Sequence, residues 1–296
     1  MITAKNIVKR FGNLTAVNDI SFELKKGETF GLLGPNGAGK TTTINMMVGV
    51  LKPDEGTISL NGTADPTRPE VRMQIGNAPQ SIALYEELTA VENLRFFGRM
   101  YNLSGKKLKE RVEWAIEFAG LKERRNSRVN TYSGGMKRRL NLACAMVHDP
   151  PMLLLDEPTV GVDPQSRNAI FDCIEKLIRE GRTIVYTTHY MEEAQRLCDR
   201  VAIIDQGRIL ALDTIDKLIE SHGGVSVIEA ELAKRPDGNL NIPGEINGTS
   251  LRIETNNTLD AINKLAAAGL DVTTLNIHKA DLETVFLNLT GRSLRD

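Results

Sequence analysis

Short apolar runs recur along the first 217 residues and alternate with segments of helical period. The runs lie at residues 29–33, 57–60, 152–155, 183–186 and 201–204. Several of them are unbroken apolar strings, which are typical of strands covered on both faces. Segments with helical spacing of apolar residues lie between them, for example at 168–179 and 191–198. This alternation predicts an α/β core.

Residues 88–121 contain no strand-like run. Apolar side chains recur there at helical spacing, first at Leu94, Phe97 and Met100 and then at Val112 and Ile116. This spacing is typical of helices that bury one face. We therefore expect a helical insertion in the α/β core at about residues 88–150.

The pattern changes after residue 217. A Gly-Gly pair at 223–224 precedes two strand-like runs, at 225–232 and 250–254. A helical segment at 258–268 and a strand-then-helix ending at 273–289 follow. We therefore predict two domains, at 1–217 and 218–296, of which the second is a small α+β domain.

Composition excludes several classes of protein. The chain has 296 residues, 41% of them hydrophobic and 25% charged, so it can bury a sizeable core. Its net charge of -1 provides no overall positive field, so any binding to nucleic acid or anionic lipid must be local, and we expect no nucleic-acid partner. The three cysteines lack CxxC spacing, which argues against a disulfide framework or a zinc site. The charged N-terminal residues predict no export signal. Every apolar run is far shorter than the roughly 20 residues of a membrane-spanning helix, so work at a membrane would need another chain.

The sequence GPNGAGKTT follows the predicted strand at 29–33 and begins a predicted helix. It matches GxxxxGK[ST] in the strand-loop-helix context that this phosphate-binding motif requires. The glycines let backbone N–H groups face phosphate oxygens, Lys40 should contact the β- and γ-phosphates, and the Thr41 hydroxyl should bind Mg²⁺. The alternative is an ordinary glycine-rich turn. The predicted nucleotide-binding residues are Gly34, Pro35, Asn36, Gly37, Ala38, Gly39, Lys40, Thr41 and Thr42.

Two carboxylates, Asp156 and Glu157, end the apolar run at 152–155. Adjacent strand residues point to opposite faces, so the two should have different functions. We expect one carboxylate to lie near Mg²⁺ and the other to polarise an attacking water. Without the phosphate-binding motif, they could simply be the solvated end of a strand.

Three weaker signals lie elsewhere in the first domain. Ser133, Gly134 and Gly135 can cap the start of a helix and form a second anion site, although an ordinary helix cap has the same pattern. His189 follows the run at 183–186 and could contact a γ-phosphate beyond the carboxyl end of its strand. The Gln80 amide could bind Mg²⁺ or position water. Both side chains could equally face solvent.

Taken together and in order along residues 1–217, these motifs resemble the ATP-binding subunits of ABC transporters. The resemblance places Phe11 at the adenine-stacking position, the phosphate motif at Walker A, Gln80 at the Q-loop, Ser133–Gly134–Gly135 in the signature, Asp156 and Glu157 at Walker B, residues 161–163 at the D-loop and His189 at the switch position. It implies a P-loop NTPase core with an inserted helical subdomain. It also implies Glu157, His189 and Gln80 as catalytic residues, Thr41, Gln80 and Asp156 as Mg²⁺ ligands, and ATP as substrate.

The resemblance further implies an ATP-bound homodimer in which Ser133 of one copy faces the γ-phosphate held by Lys40 of the other. Three positions depart from the common pattern: Met136 replaces the signature glutamine, residues 160–163 are Val-Gly-Val-Asp, and Phe11 replaces a tyrosine. The contacts of Met136 across the dimer therefore stay open. Because both carboxylates and His189 are present, we expect hydrolysis of ATP and not binding alone.

The C-terminal ending at 281–295 looks like that of the exporter branch that includes daunorubicin-resistance and nodulation ATPases. This implies a separate polytopic membrane permease, export of a small molecule or glycoconjugate, and a peripheral place at the cytoplasmic face of the cell membrane. In the family, a permease helix docks beside the Q-loop, here around Gln80, Tyr85, Glu86 and Leu88. Two alternatives remain: an ABC-type ATPase that acts on ribosomes or DNA, and a nucleotide-binding regulatory module without turnover.

Overall fold

The computed structural model describes residues 2–62, 65–234, 244–255 and 257–291. Its internal contacts divide the chain into two compact units, Met1–Asp213 and Thr214–Asp296. Residues 292–295, the last part of the ending that resembles exporters, lie outside the described residues. No helix within the described ranges is long and apolar enough to cross a membrane.

The first unit alternates strands with helices along most of its length. In chain order its elements are β1 (Ile2–Phe11), β2 (Leu14–Glu23), β3 (Thr29–Leu33), α1 (Lys40–Met47), β4 (Glu55–Leu60), α2 (Pro69–Arg72), β5 (Ile75–Ala78), α3 (Ala90–Met100), α4 (Gly105–Phe118), α5 (Gly134–Met146), β6 (Met152–Asp156), α6 (Pro164–Arg179), β7 (Thr183–Thr188), α7 (Met191–Leu197), β8 (Arg200–Asp205) and β9 (Arg208–Thr214).

A six-stranded sheet with the order β5-β6-β7-β3-β8-β9 forms the centre of this unit. The pairs β5/β6, β6/β7, β7/β3 and β3/β8 are parallel. Every residue of β3, β6 and β7 is buried, as expected for apolar strings covered on both faces. The predicted α/β core is confirmed. Parallel pairing also places the carboxyl ends of β5, β6, β7 and β3 at one edge of the sheet.

A second, antiparallel sheet with the order β2-β1-β4 departs from the sequence prediction. The run at 57–60 belongs to β4 of this sheet and not to the central one, and β1 and β2 were not predicted. Bulges interrupt the pairing of β1 with β2, and Asn6 and Asp19 adopt positive φ angles of 48° and 58°. These irregularities disturb the two-residue alternation by which such strands are recognised.

The segment between β5 and β6 contains α3, α4 and α5. A short turn joins α3 to α4, whereas residues 119–133, with two short 3-10 helices, join α4 to α5. Leu94, Val112 and Ile116 are buried, as the helical spacing indicates. Met100 does not belong to this core, because 65% of its surface is exposed. It lies on the outer side of the last turn of α3.

The second unit combines a sheet with helices. Its elements are α8 (Ile215–His222), β10 (Ser226–Leu232), β11 (Glu245–Asn247), β12 (Ser250–Thr255), α9 (Thr258–Ala267), β13 (Val272–His278) and α10 (Leu282–Thr290). The strand order is β11-β12-β10-β13. A small core on one side of the sheet contains Ile228, Ala230, Leu251, Ile253, Ala261 and Leu265. The helix α8 begins this unit, so the unit starts a few residues before the predicted position 218.

Candidate functional site

Four segments that carry candidate residues leave the central sheet at the same edge. The phosphate motif follows β3, Gln80 follows β5, Glu157 follows β6 and His189 follows β7. Because these strands are parallel, their carboxyl ends bring together residues that are up to 155 positions apart in sequence. In open α/β sheets this edge is where ligands bind.

The phosphate motif forms a tight loop between β3 and α1. A Cβ atom on Gly34 would lie 2.1 Å from the Ile204 carbonyl oxygen, and one on Gly39 would lie 2.4 Å from that of Ala16. Gly39 also has a φ angle of 102°, which disfavours any side chain. The loop leads directly into α1, so the free backbone N–H groups at the start of this helix form an anion-binding cradle.

Three polar side chains surround the carboxylate of Glu157. Lys40 Nζ lies 3.0 Å from Glu157 Oε1, and His189 Nδ1 lies 3.4 Å from the same oxygen. Gln80 Nε2 donates to Oε2 at 3.2 Å. Lys40 and Glu157 are each only 4% exposed, and Lys40 also donates to the carbonyl oxygens of Gly34 and Pro35. The structure thus gathers Lys40, Gln80 and His189 around one buried carboxylate.

Glu157 adopts an unusual backbone conformation. Its φ angle is 44°, in the left-handed region that is rare for residues other than glycine. Its N–H donates to the carbonyl oxygen and to Oγ1 of Thr187, at 3.2 and 2.9 Å. The strand β6 ends at Asp156, whose Oδ1 accepts from Thr187 Oγ1 at 2.6 Å. Asp156 is the last residue of β6, and Glu157 lies beyond the strand. The two carboxylates are therefore separated because the strand ends between them, and not because strand residues alternate between two faces.

The donor set suits Mg²⁺ bound together with a nucleotide. Among the described residues, no three His, Cys, Asp or Glu side chains are grouped to hold a metal ion. Mg²⁺ in phosphate-transfer sites is commonly held by one or two protein oxygens, substrate phosphates and water. Thr41 is exposed in the first turn of α1, Asp156 is the last residue of β6, and Gln80 follows the neighbouring strand β5. Hydroxyl, carboxylate and amide oxygens at this edge fit that arrangement.

The signature turn lies apart from this cluster. Ser133 caps α5, and its Oγ accepts from Met136 N at 3.3 Å. Ser133 and Gly134 are exposed, and no hydrogen bond among the described residues joins the turn to Glu157. Gly135 packs so closely on α6 that a Cβ there would lie 2.2 Å from Ser166 Oγ. The turn is therefore fixed from behind, and Ser133 and Gly134 face outwards.

Phe11 ends β1 at the turn before β2 and is 47% exposed. Lys9 Nζ lies 5.8 Å from the centre of its ring. An aromatic ring with this exposure has surface available for a stacking contact with a base. Its assignment to adenine stays a prediction.

Two further residues at the site had not been identified from the sequence. Arg138 of α5 donates to the carbonyl oxygens of Gln80 and Val160. Partial burial lowers the pKa of its guanidinium, while the nearby Glu157 and Asp156 carboxylates act in the opposite direction. The basic run at 137–139 gave no signal, because such runs are commonly solvated.

The second is Glu193, whose carboxylate is only 2% exposed. Its sequence signal was available but weak: it is an acidic residue on the buried side of α7, next to Ala194 and one turn from Leu197.

Comparison with known proteins identifies relatives along the whole chain. Residues 17–160 match the family model described as ABC transporter. The linearmycin resistance ATP-binding protein LnrL of Bacillus subtilis is 42% identical, with both chains fully covered. The Nod factor export ATP-binding protein I of Burkholderia lata is 43% identical, over 100% of this chain and 98% of that protein.

Solved structures support the same assignment. The structure of an ATP-binding subunit of an ABC transporter superposes with a TM-score of 0.68 and 32% identity, over 75% of this chain and 93% of that one. A dimeric ATP-binding cassette in a post-hydrolysis state, bound to ADP and Pi, has a TM-score of 0.66 and 27% identity, over 72% and 98% of the two chains. The P-loop NTPase fold is confirmed.

Proposed function

We propose that this chain, which belongs to the ABC transporter family of ATP-binding proteins, powers export through a separate membrane permease by dimerising around ATP. The chain is an ATPase. The single observation that carries the more detailed proposal is the grouping of Lys40, Gln80 and His189 around the buried carboxylate of Glu157. Export is supported by two full-length relatives, one named for linearmycin resistance and one for Nod factor export.

Each residue of the cluster has its own function in ATP hydrolysis. The loop N–H groups and Lys40 hold the β- and γ-phosphates, and Glu157 takes a proton from the water that attacks the γ-phosphorus as the bond to ADP breaks. His189 and Gln80 orient this water and the γ-phosphate. Mg²⁺, held by Thr41, Gln80 and Asp156, would neutralise phosphate charge. Because Lys40 pairs with Glu157, phosphates must compete for Lys40 and thereby free Glu157 to act as a base.

The exposed signature turn supports a dimer. Ser133 and Gly134 are exposed at the start of α5, where the helix dipole favours an anion. The chain's own phosphate loop lies elsewhere, at the end of β3. A second copy related by a two-fold axis would present its γ-phosphate to this turn, and the two copies would exchange the same contact. One related cassette is named as a dimer.

The permease surface is proposed beside the Q-loop, along α3. Tyr85 is 50% exposed and packs edge-to-face on Phe96, with ring centres 4.7 Å apart. The buried side chain of Asn93 fixes the Tyr85 backbone through bonds to its N–H and carbonyl oxygen, at 2.9 and 3.0 Å. An adjoining groove of ≈ 630 Å³ is lined by Leu88, Glu92, Arg95, Phe96, Arg99 and Met100. An apolar groove with a charged rim suits a docked amphipathic helix.

Recovery with permease-containing membranes tests this proposal. Tyr85→Ala and Glu86→Ala should reduce sedimentation of the chain with such membranes while ATP affinity stays unchanged. Glu86 does form an ion pair with Lys137 at 2.7 Å, but a pair of this exposure contributes only about 0–1 kcal/mol to stability. Glu180→Gln, an exposed change at the end of α6, is the control. Undiminished sedimentation of both variants would show that the docking surface lies elsewhere.

A further inference from the structure

The carboxylate of Glu193 is buried and accepts three hydroxyl hydrogen bonds. Thr159 Oγ1 donates to Oε1 at 2.7 Å, and Tyr186 OH and Thr188 Oγ1 each donate to Oε2 at 2.8 Å. Burial and the adjacent carboxylate raise the pKa of the Tyr186 phenol, which therefore stays protonated and donates. Arg167 Nε lies 3.8 Å from Oε1 and supplies positive charge. A buried carboxylate is costly unless it is hydrogen-bonded and paired in this way.

The donors come from the two segments that carry Glu157 and His189. Thr159 lies two residues after Glu157, and Thr188 immediately precedes His189. Thr188 Oγ1 also accepts from Tyr190 N at 2.9 Å, so it fixes the turn on both sides of His189. One carboxylate therefore joins the end of β6 to the end of β7 behind the cluster.

The backbone at Glu157 needs such a contact. Its left-handed φ angle is a conformation that persists only where surrounding contacts enforce it. On its N-terminal side, the Glu157 N–H is held by Thr187. On its C-terminal side, the bond from Thr159 to Glu193 holds the loop. Val160 N also donates to the Glu157 carbonyl oxygen, and Arg138 donates to that of Val160, so loss of the Thr159 bond would loosen the loop without releasing it and would displace the Glu157 carboxylate relative to His189.

We propose that Glu193 is a positioning residue for ATP hydrolysis, which fixes the Glu157 loop and the His189 turn relative to each other. This inference rests on the proposed function of Glu157 and His189. Among the described residues, Glu193 forms no hydrogen bond or ion pair with the phosphate loop or with Glu157, so we expect it to act on turnover and not on nucleotide affinity. The competing explanation is that it only satisfies three buried hydroxyl groups and stabilises the fold.

Turnover and nucleotide affinity, measured on the same preparations, separate the two explanations. We expect Glu193→Ala to lower kcat by roughly 10- to 100-fold, with the Kd for ATP within about twofold of the original. Glu193→Gln should recover most of the activity, because its amide oxygen accepts from Tyr186 and Thr188 and its NH₂ group donates to the Thr159 hydroxyl. Thr183→Val is the matched control. Thr183 is buried at the opposite end of β7, and its Oγ1 accepts from Gly27 N. That variant should lose stability and keep kcat.

Two milder variants keep the test decisive if Glu193→Ala does not fold. Thr159→Val and Thr188→Val each remove one donor and leave the carboxylate in place. Each should lower kcat, and the double variant should lose less than the product of the single effects, because both act through Glu193. Unchanged kcat in every folded variant would overturn the inference, as would an equal loss in Thr183→Val. If the unaltered chain hydrolysed no ATP, the proposed function would be wrong together with this inference.

Discussion

The phosphate loop and the signature turn present backbone N–H groups at the start of a helix, but their surroundings differ. Lys40 begins α1, is 4% exposed and pairs with Glu157 at 3.0 Å. Ser133 caps α5 and is exposed, and it accepts hydrogen bonds from Met136 N and Lys137 N of its own helix. Side chains of the same copy surround the phosphate loop. The signature turn packs on α6 through Gly135 and exposes Ser133 and Gly134.

This difference teaches how one chain can carry two halves of a site. The phosphate loop has the proposed catalytic residues beside it in the same copy, so one copy can hold the phosphates and place the base. The signature turn is exposed at the start of α5, and no hydrogen bond among the described residues joins it to Glu157. Under the proposed function, it acts when another copy brings the phosphate. The predictions below test each half in turn.

The largest effect is expected at the catalytic carboxylate. Glu157→Gln should lower ATP hydrolysis by roughly 100- to 10,000-fold, because an amide cannot accept the proton of the attacking water. ATP binding should persist, and an ATP-locked dimer should accumulate in size-exclusion chromatography. The same substitution at the exposed Glu180 should change neither property. Hydrolysis by Glu157→Gln at the original rate would show that the base has been misassigned.

The second effect concerns the buried ion pair. Lys40→Ala should weaken ATP binding by roughly 100-fold, since it removes a charged donor to phosphate. It should also destabilise the nucleotide-free chain by about 3–5 kcal/mol, because Glu157 loses its counter-charge. Calorimetric titration and thermal unfolding measure the two losses.

A double variant separates binding from stability at this pair. Lys40→Ala combined with Glu157→Gln should regain most of the unfolding free energy, because no buried charge is left unpaired, and should still bind ATP weakly. Equal instability of the single and double variants would contradict the importance of this ion pair.

The third prediction places the signature in trans. Ser133→Arg and Lys40→Ala chains should each be inactive alone. In an equal mixture, half of the dimers are mixed and each holds one intact site, so roughly a quarter of the original activity should return. Full activity of Ser133→Arg alone would rule out the trans function.

The smallest effect distinguishes the two signature glycines. Gly135→Ala places a Cβ 2.2 Å from Ser166 Oγ, and overpacking of this kind costs about 1–3 kcal/mol of folding free energy. Gly134→Ala meets nothing closer than the Gly161 carbonyl oxygen at 4.0 Å, so it should fold normally and lose turnover only in the dimer. Thermal unfolding and ATPase assays compare them.

A compensating substitution tests whether the contact with Ser166 causes the loss of stability in Gly135→Ala. Ser166→Gly removes the colliding side chain, so it should restore the stability of Gly135→Ala. Normal stability of Gly135→Ala alone would show that the turn is not fixed against α6.

The apolar strings were enough to predict β3, β6, β7 and β8, because a strand covered on both faces needs no polar alternation. The antiparallel strands were harder to recognise. In β1, bulges and the positive φ of Asn6 break the two-residue period, so the local pattern resembles a loop. Residues 57–60 were recognised as a strand, but the run did not indicate a second, antiparallel sheet, since a strand's own sequence does not specify its neighbours.

The sequence by itself determined the motifs and the element that each one ends or begins, because helical and strand periods and glycine-rich turns are local properties. Only the tertiary structure decided that Lys40, Gln80 and His189 meet at Glu157. That meeting depends on the strand order β5-β6-β7-β3, which is a choice among long-range pairings. The buried place of Glu193 was decided in the same way. Hydrogen bonds from three hydroxyl groups on two segments offset the cost of burying its charge. The sequence of α7 gives no information about these hydroxyl groups.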